Sequence, residues 1–215
     1  MDLITAFIDI ILHLDVHLLK MTAEYGIWIY AILFLIIYCE TGLVVTPFLP
    51  GDSLLFVAGA LCGMGALQIE WLIPLLIVAA FSGDNTNYWI GRLLGMRILK
   101  ANTKIIKPEY LDKTHAFYEK HGSKTVILAR FLPILRTFAP FVAGIGQMNY
   151  RLFMFSSALG SVLWIGGLSV AGYLFGNIPW VKSNLTLIII GIIIISILPA
   201  ISEFIRHKRN NQKNK

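Results

Sequence analysis

Residues 125–146 read TVILARFLPILRTFAPFVAGIG, an apolar run that carries two arginines, Arg130 and Arg136, and two prolines, Pro133 and Pro140. Proline removes a backbone donor and clashes with the preceding helical turn, so an unbroken spanning helix is a poor reading of this stretch. Arg130 and Arg136 are six residues apart and would miss a common face of a straight helix by about 120°. A break at Pro133 lets both point the same way. Basic sequence precedes the run and Arg151 follows it. Basic loops mark the cytoplasmic side of a membrane protein, so segment 125–148 is expected to enter and leave from the cytoplasm. Two arms of roughly ten residues, each rising ~15 Å, would meet near the bilayer midplane.

An echo of this run lies upstream. Phe48-Leu49-Pro50 matches Phe131-Leu132-Pro133, and Phe56-Val57-Ala58-Gly59 matches Phe141-Val142-Ala143-Gly144 at an offset of 85 residues. The same offset carries Tyr88 and Gly91 onto Tyr173 and Gly176. Segment 46–66, broken at Pro47 and Pro50, is therefore expected to be a second re-entrant hairpin, entering from the outer face. Two such segments dipping in from opposite sides form an inverted-topology repeat.

The rest of the chain supports a bilayer as solvent. Of 215 residues, 57% are hydrophobic and 14% charged, too apolar for an ordinary soluble domain of this length. The fold class expected is an all-α polytopic membrane protein in a single domain, 1–215. Its parts are an interfacial helix 1–24, a span 25–45, hairpin 46–66, a span 71–94, a basic cytoplasmic loop with an amphipathic helix at 95–124, hairpin 125–148, spans 152–176 and 185–205, and a basic tail 206–215. Each span is near the ~20 residues that cross ~30 Å of hydrocarbon. The opening segment carries Asp2, Asp9 and Asp15 and no basic start, so it does not read as a cleaved signal peptide. Its polar residues recur at helical spacing, as expected of a helix lying in the interface.

The net charge of +6 is concentrated: eight of eighteen Lys and Arg lie between Arg92 and Lys124, and five more lie in the tail. That pattern places both termini in the cytoplasm and argues against nucleic acid as the partner. Cys39 and Cys62 lie apart in apolar sequence, without a metal or disulfide pattern. Asp9, His13 and His17 share a helix face, but nothing completes a metal site, and no cofactor is called for.

Five ionisable residues fall within or close to the membrane zone: Glu40, Asp52, Asp84, Arg130 and Arg136. Isolated at the bilayer centre they would together cost about 12–18 kcal/mol, so pairing or hydration must offset them. The acids belong to the first half and the bases to the second, which suggests that the halves meet across a polar cavity. Guanidinium matches phosphate oxygens in a two-pronged geometry, which makes a phosphate monoester the natural guest of Arg130 and Arg136. Glu40 follows fifteen uncharged residues and should be desolvated enough to hold and release a proton. Asp52, in Pro50-Gly51-Asp52-Ser53, suits a transport role or a helix cap equally. Asp84 and Asn87 read as residues that stitch helices together, and Arg92 as an anchor at the cytoplasmic edge.

Glu40 with Pro47-Phe48-Leu49-Pro50-Gly51-Asp52, Gly83-Asp84 with Tyr88 and Gly91-Arg92, and Arg130-Phe131-Leu132-Pro133 with Arg136 resemble the motifs of the DedA family of bacterial inner-membrane proteins, which includes the eukaryotic VTT-domain proteins. The likeness runs from residues 11–17 to residues 205–209. Asn87 stands where relatives often have Gly. The resemblance implies movement of lipids between leaflets, and for bacterial members the return of undecaprenyl phosphate to the cytoplasmic leaflet with a dependence on proton motive force. It assigns function to Glu40, Asp52, Arg130 and Arg136. The expected activity is therefore a lipid flippase of the bacterial inner membrane and not an enzyme, since the histidines at 13, 17, 115, 121 and 207 fall outside the expected spans. Other readings are a phospholipid flippase or scramblase and a proton-coupled exporter of small cations, the last of which leaves the arginines without a guest. A homo-oligomer is compatible with each.

Overall fold

A computed structural model describes residues 14–43, 51–101, 122–176, 178–184, 187–188 and 190–192. Among them every regular element is helical: α1 Leu14–Tyr25, α2 Trp28–Gly42, α3 Gly51–Gly63, α4 Ile69–Ala101, α5 Pro133–Ile145, α6 Tyr150–Phe175 and the short α7 Pro179–Ser183, with a further helical stretch over residues 122–129. Several expectations lie outside the described residues: the polar face of 1–13 with Asp9 and His13, the prolines Pro47 and Pro50, residues 102–121 with the amphipathic stretch, most of the span 185–205, and the tail 206–215.

The helix ends follow from local chemistry. α1 stops at Gly26, whose φ of +52° only glycine adopts without strain, and its N–H bonds to the Thr22 carbonyl. α3 ends in the same manner at Gly65, with φ +79°; the Gly65 and Ala66 N–H groups bond back to the Cys62 and Leu61 carbonyls. α5 closes with the same pair of bonds, from Gln147 to Gly144 and from Met148 to Ala143, although Gln147 takes up the left-handed conformation at φ +52° without being glycine.

Segment 125–148 contains a break. Its break falls at residues 130–132, where the N–H groups of Arg130, Phe131 and Leu132 bond to carbonyls three residues back. Pro133 then starts α5, and Leu132 before it is extended, as the residue preceding proline must be. The described helical stretches on either side of the break are residues 122–129 and Pro133–Ile145. Pro140 does not break its arm. Its fixed φ is helical, so it removes one backbone bond while α5 runs on to Ile145.

The chain divides into two compact units, each drawing on both halves of the sequence. The first comprises residues 1–29, 50–69 and 168–215; the second comprises 30–49 and 70–167. In the first unit α3 packs on the end of α6: a Cβ on Gly59 would lie 2.1 Å from the Ser169 carbonyl oxygen, and one on Gly172 would lie 2.0 Å from that of Phe56. In the second unit α5 packs on α4 in the same way. A Cβ on Gly144 would lie 2.1 Å from the Tyr88 carbonyl oxygen, and one on Gly91 would lie 2.1 Å from that of Phe141. Gly59 and Gly144, and Phe56 and Phe141, are the pairs related by the offset of 85.

α6 is, among the described residues, the helix both long and apolar enough to cross a membrane; α2, α3 and Leu135–Ile145 are shorter apolar helices. α6 also displays large apolar side chains outward, with Phe155 67% and Leu174 60% exposed. A row of that kind suits contact with lipid and is unfavourable in water.

Candidate functional site

The second unit gathers most of the ionisable residues singled out in the apolar sequence. α2 supplies Glu40 and Thr41, α4 supplies Asp84 and Asn87, the broken segment supplies Arg130 and Arg136, and α6 supplies Ser157 and Trp164. Glycines permit this approach. A Cβ on Gly83 would stand 2.0 Å from Thr41 Oγ1, so α2 and α4 touch at Thr41-Gly42 and Gly83, immediately beside Glu40 and Asp84. On α6, Gly160 leaves room for the Arg130 side chain, whose Cδ would be 3.0 Å from a Cβ there.

All four charged groups are buried: Glu40 and Asp84 at 0% exposure, Arg130 at 3% and Arg136 at 4%. They form two ion pairs. Arg136 donates from Nη2 to Glu40 Oε1, and Arg130 donates from Nη1 to Asp84 Oδ2. Asp84 Oδ2 also accepts the Ser157 hydroxyl at 2.6 Å. Beneath both guanidiniums lies a single indole: the Arg136 carbon Cζ is 4.3 Å from the Trp164 ring centre and that of Arg130 is 5.6 Å away. A cation over the face of tryptophan is held by the ring quadrupole, the more strongly when desolvated.

Pairing is incomplete. Arg130 Nε and Nη2 and Asp84 Oδ1 have no hydrogen-bond partner among the described residues. Nε and Nη2 form one edge of the guanidinium, two parallel N–H donors spaced to grip two oxygens of one phosphate or carboxylate. Asp84 thus holds Arg130 by Nη1 while that edge stays available.

Asn87 acts as the tie its sequence position suggests, donating from Nδ2 to the Thr41 carbonyl at 3.1 Å and to the Thr137 carbonyl at 2.7 Å. It therefore fastens α2, α4 and α5 to one another. Arg92 lies apart from the two pairs, donating to the Tyr88 hydroxyl at 2.9 Å and lying 5.6 Å from the Trp89 ring centre. Asp52 belongs to the first unit. It occupies the first turn of α3, where a carboxylate complements the helix dipole.

Trp164, Ser157 and Gly160 were not singled out from the sequence. Tryptophan in an apolar span reads as an interfacial anchor, and serine as a packing residue. The signal that would have found them is a stripe of small and polar residues, Ser157, Gly160, Ser161 and Trp164, at spacings of three and four on one face of α6.

The profile of the VTT domain family matches residues 49–174. The chain is 60% identical to Protein DedA of Escherichia coli K12 over 97% of both chains. It is 48% identical to an uncharacterised membrane protein of Mycobacterium leprae over 77% of this chain and 75% of that one. It is 33% identical to the inner membrane protein YqjA of Escherichia coli K12 over 83% of this chain and 81% of that one. No solved structure matches. An all-helical architecture, lipid-suited apolar faces and this degree of identity together make the chain a membrane protein that belongs to the DedA family of VTT-domain proteins.

Proposed function

We propose that the protein is a flippase that carries a lipid-linked phosphate, undecaprenyl phosphate in the first instance, across the bacterial inner membrane for cell-envelope synthesis, driven by proton motive force. The observation that carries this reading is the buried pair Arg130 and Arg136 on the shared face of Trp164, with the Nε and Nη2 edge of Arg130 unpartnered among the described residues. Two desolvated guanidiniums in one place suit a phosphate monoester, whose prenyl tail remains in lipid. Transport and not bond cleavage is the proposed action, with no chemical change in the lipid.

In this reading α2, α4, α6 and the segment 185–205 cross the bilayer. Segments 46–66 and 125–148 enter as hairpins from opposite faces, and both termini lie in the cytoplasm. Gly59 and Gly144, related by the offset of 85, each approach the backbone of a facing helix, which supports the inverted repeat. Glu40 and Asp52 couple passage to protons.

The test is the purified protein in liposomes loaded with undecaprenyl phosphate on one leaflet, with and without an imposed pH gradient. Movement that requires the gradient and is lost in Arg130→Ala is the expected result. Absence of movement under both conditions overturns the proposal. Movement of ordinary phospholipids without regard to the gradient would indicate a scramblase instead.

A further inference from the structure

Among the described residues of the second unit the buried charges balance. Glu40 and Asp84 contribute two negative charges and Arg130 and Arg136 two positive ones, in two ion pairs withdrawn from water. A phosphate monoester bound at Arg130 therefore adds negative charge to a cluster whose two described cations each already face a carboxylate. An unbalanced buried charge is expensive, and the cheapest response of such a site is to bind a proton.

Asp84 is the group placed to take it. One of its oxygens, Oδ2, is shared by Arg130 and Ser157; the other, Oδ1, has no hydrogen-bond partner among the described residues. Phosphate on the Nε and Nη2 edge of Arg130 would draw on the same guanidinium that now neutralises Asp84. Among the described residues Asp84 faces Arg130 from the turn at 130–132, Ser157 from α6 and Arg136 from α5, and Arg136 is in turn paired with Glu40 from α2. Its own helix adds the neutral Asn85 and Asn87, both bonded to backbone carbonyls.

We infer that Asp84 takes up a proton from solvent as a phosphate monoester binds Arg130, so that ligand and proton occupy the site together and leave it together. This rests on the phosphate-binding reading above, and it gives Asp84 a part in coupling beyond the helix-stitching role its sequence position suggests. The proton adds to an Asp84 carboxylate oxygen, the Arg130 ion pair is exchanged for the phosphate, and Ser157 continues to hydrogen-bond the acid.

Calorimetry of farnesyl monophosphate binding to the full-length protein in detergent tests it. At pH 8 the ligand is a dianion, its second pKa being about 6. Titration in two buffers of different ionisation heat counts the protons taken up. In Asp84→Asn the count should fall by about one. An unchanged count in Asp84→Asn with binding intact overturns the inference and leaves the phosphate reading standing. No binding by the wild-type protein overturns both.

Infrared difference spectra of the wild-type protein provide a measurement independent of that variant's folding. Ligand binding should raise a protonated-carboxyl band, and Ser157→Ala should shift its frequency by removing the hydrogen bond to Asp84. A band that Ser157→Ala leaves in place assigns the proton elsewhere and overturns the inference.

Discussion

Arg130 and Arg136 carry the same charge but are held differently, and the difference decides which substitutions are informative. Arg136 lies closer to the Trp164 face and is paired with Glu40. Arg136→Lys keeps the charge and a partner for Glu40 but loses the planar fork and the stacking on the indole. Transport of the lipid phosphate in liposomes should fall at least about tenfold, the equivalent of 1.4 kcal/mol, while the melting temperature in detergent changes little. Glu40→Gln should behave in the opposite sense. Removing the charge of one partner from a buried ion pair costs about 3–5 kcal/mol, so the melting temperature should drop markedly. Away from the site, Gln147 is exposed and takes a conformation that glycine adopts without strain. Gln147→Gly should stabilise the protein by about 1 kcal/mol, read as a raised melting temperature with transport unchanged.

At the scale of helices, backbone-to-backbone approach through glycine organises both units. Gly91→Ala and Gly144→Ala each place a methyl group 2.1 Å from a carbonyl oxygen of the facing helix, which must withdraw. Each should cost about 1–3 kcal/mol in thermal denaturation. Gly167→Ala in α6 is the control: nothing among the described residues lies within 4 Å of its Cβ, so helix propensity acts and stability should be unchanged or rise by about 1 kcal/mol. These contacts were partly legible in the sequence, because an echo at one offset picks out Gly59 and Gly144. The elements themselves align at a different offset: Gly51 to Pro133 and Gly63 to Ile145 are each 82 residues apart, three fewer than 85. The break before Pro133 was legible because proline constrains the residue before it. Which acid meets which arginine was not, since that depends on how α2, α4 and α6 pack around the broken segment. Pro140 misled because its missing bond is affordable inside a helix packed on α4.

The whole molecule interlaces its two halves. α3, from the first half, packs on the end of α6 from the second, and α5, from the second half, packs on α4 from the first. A fragment ending within residues 102–121 would therefore hold Gly59 and Gly91 with no carbonyl to approach. The complementary fragment would hold Gly144 and Gly172 in the same condition, and Arg130 and Arg136 would lose Asp84 and Glu40 together. Cutting the chain there should yield halves that do not fold singly, because each lacks the partner helix of both of its units and the later half carries two buried cations without acids. Expressed together, the halves should reassemble, since the cut falls between α4 and the stretch at 122–129 and severs no helix contact described above. The measurement is co-purification of differently tagged halves in detergent, followed by thermal melting of each half and of the pair. A cooperative melt from either half expressed singly would mean that the repeat units fold independently, and that the exchange of helices between them is not what holds the site together.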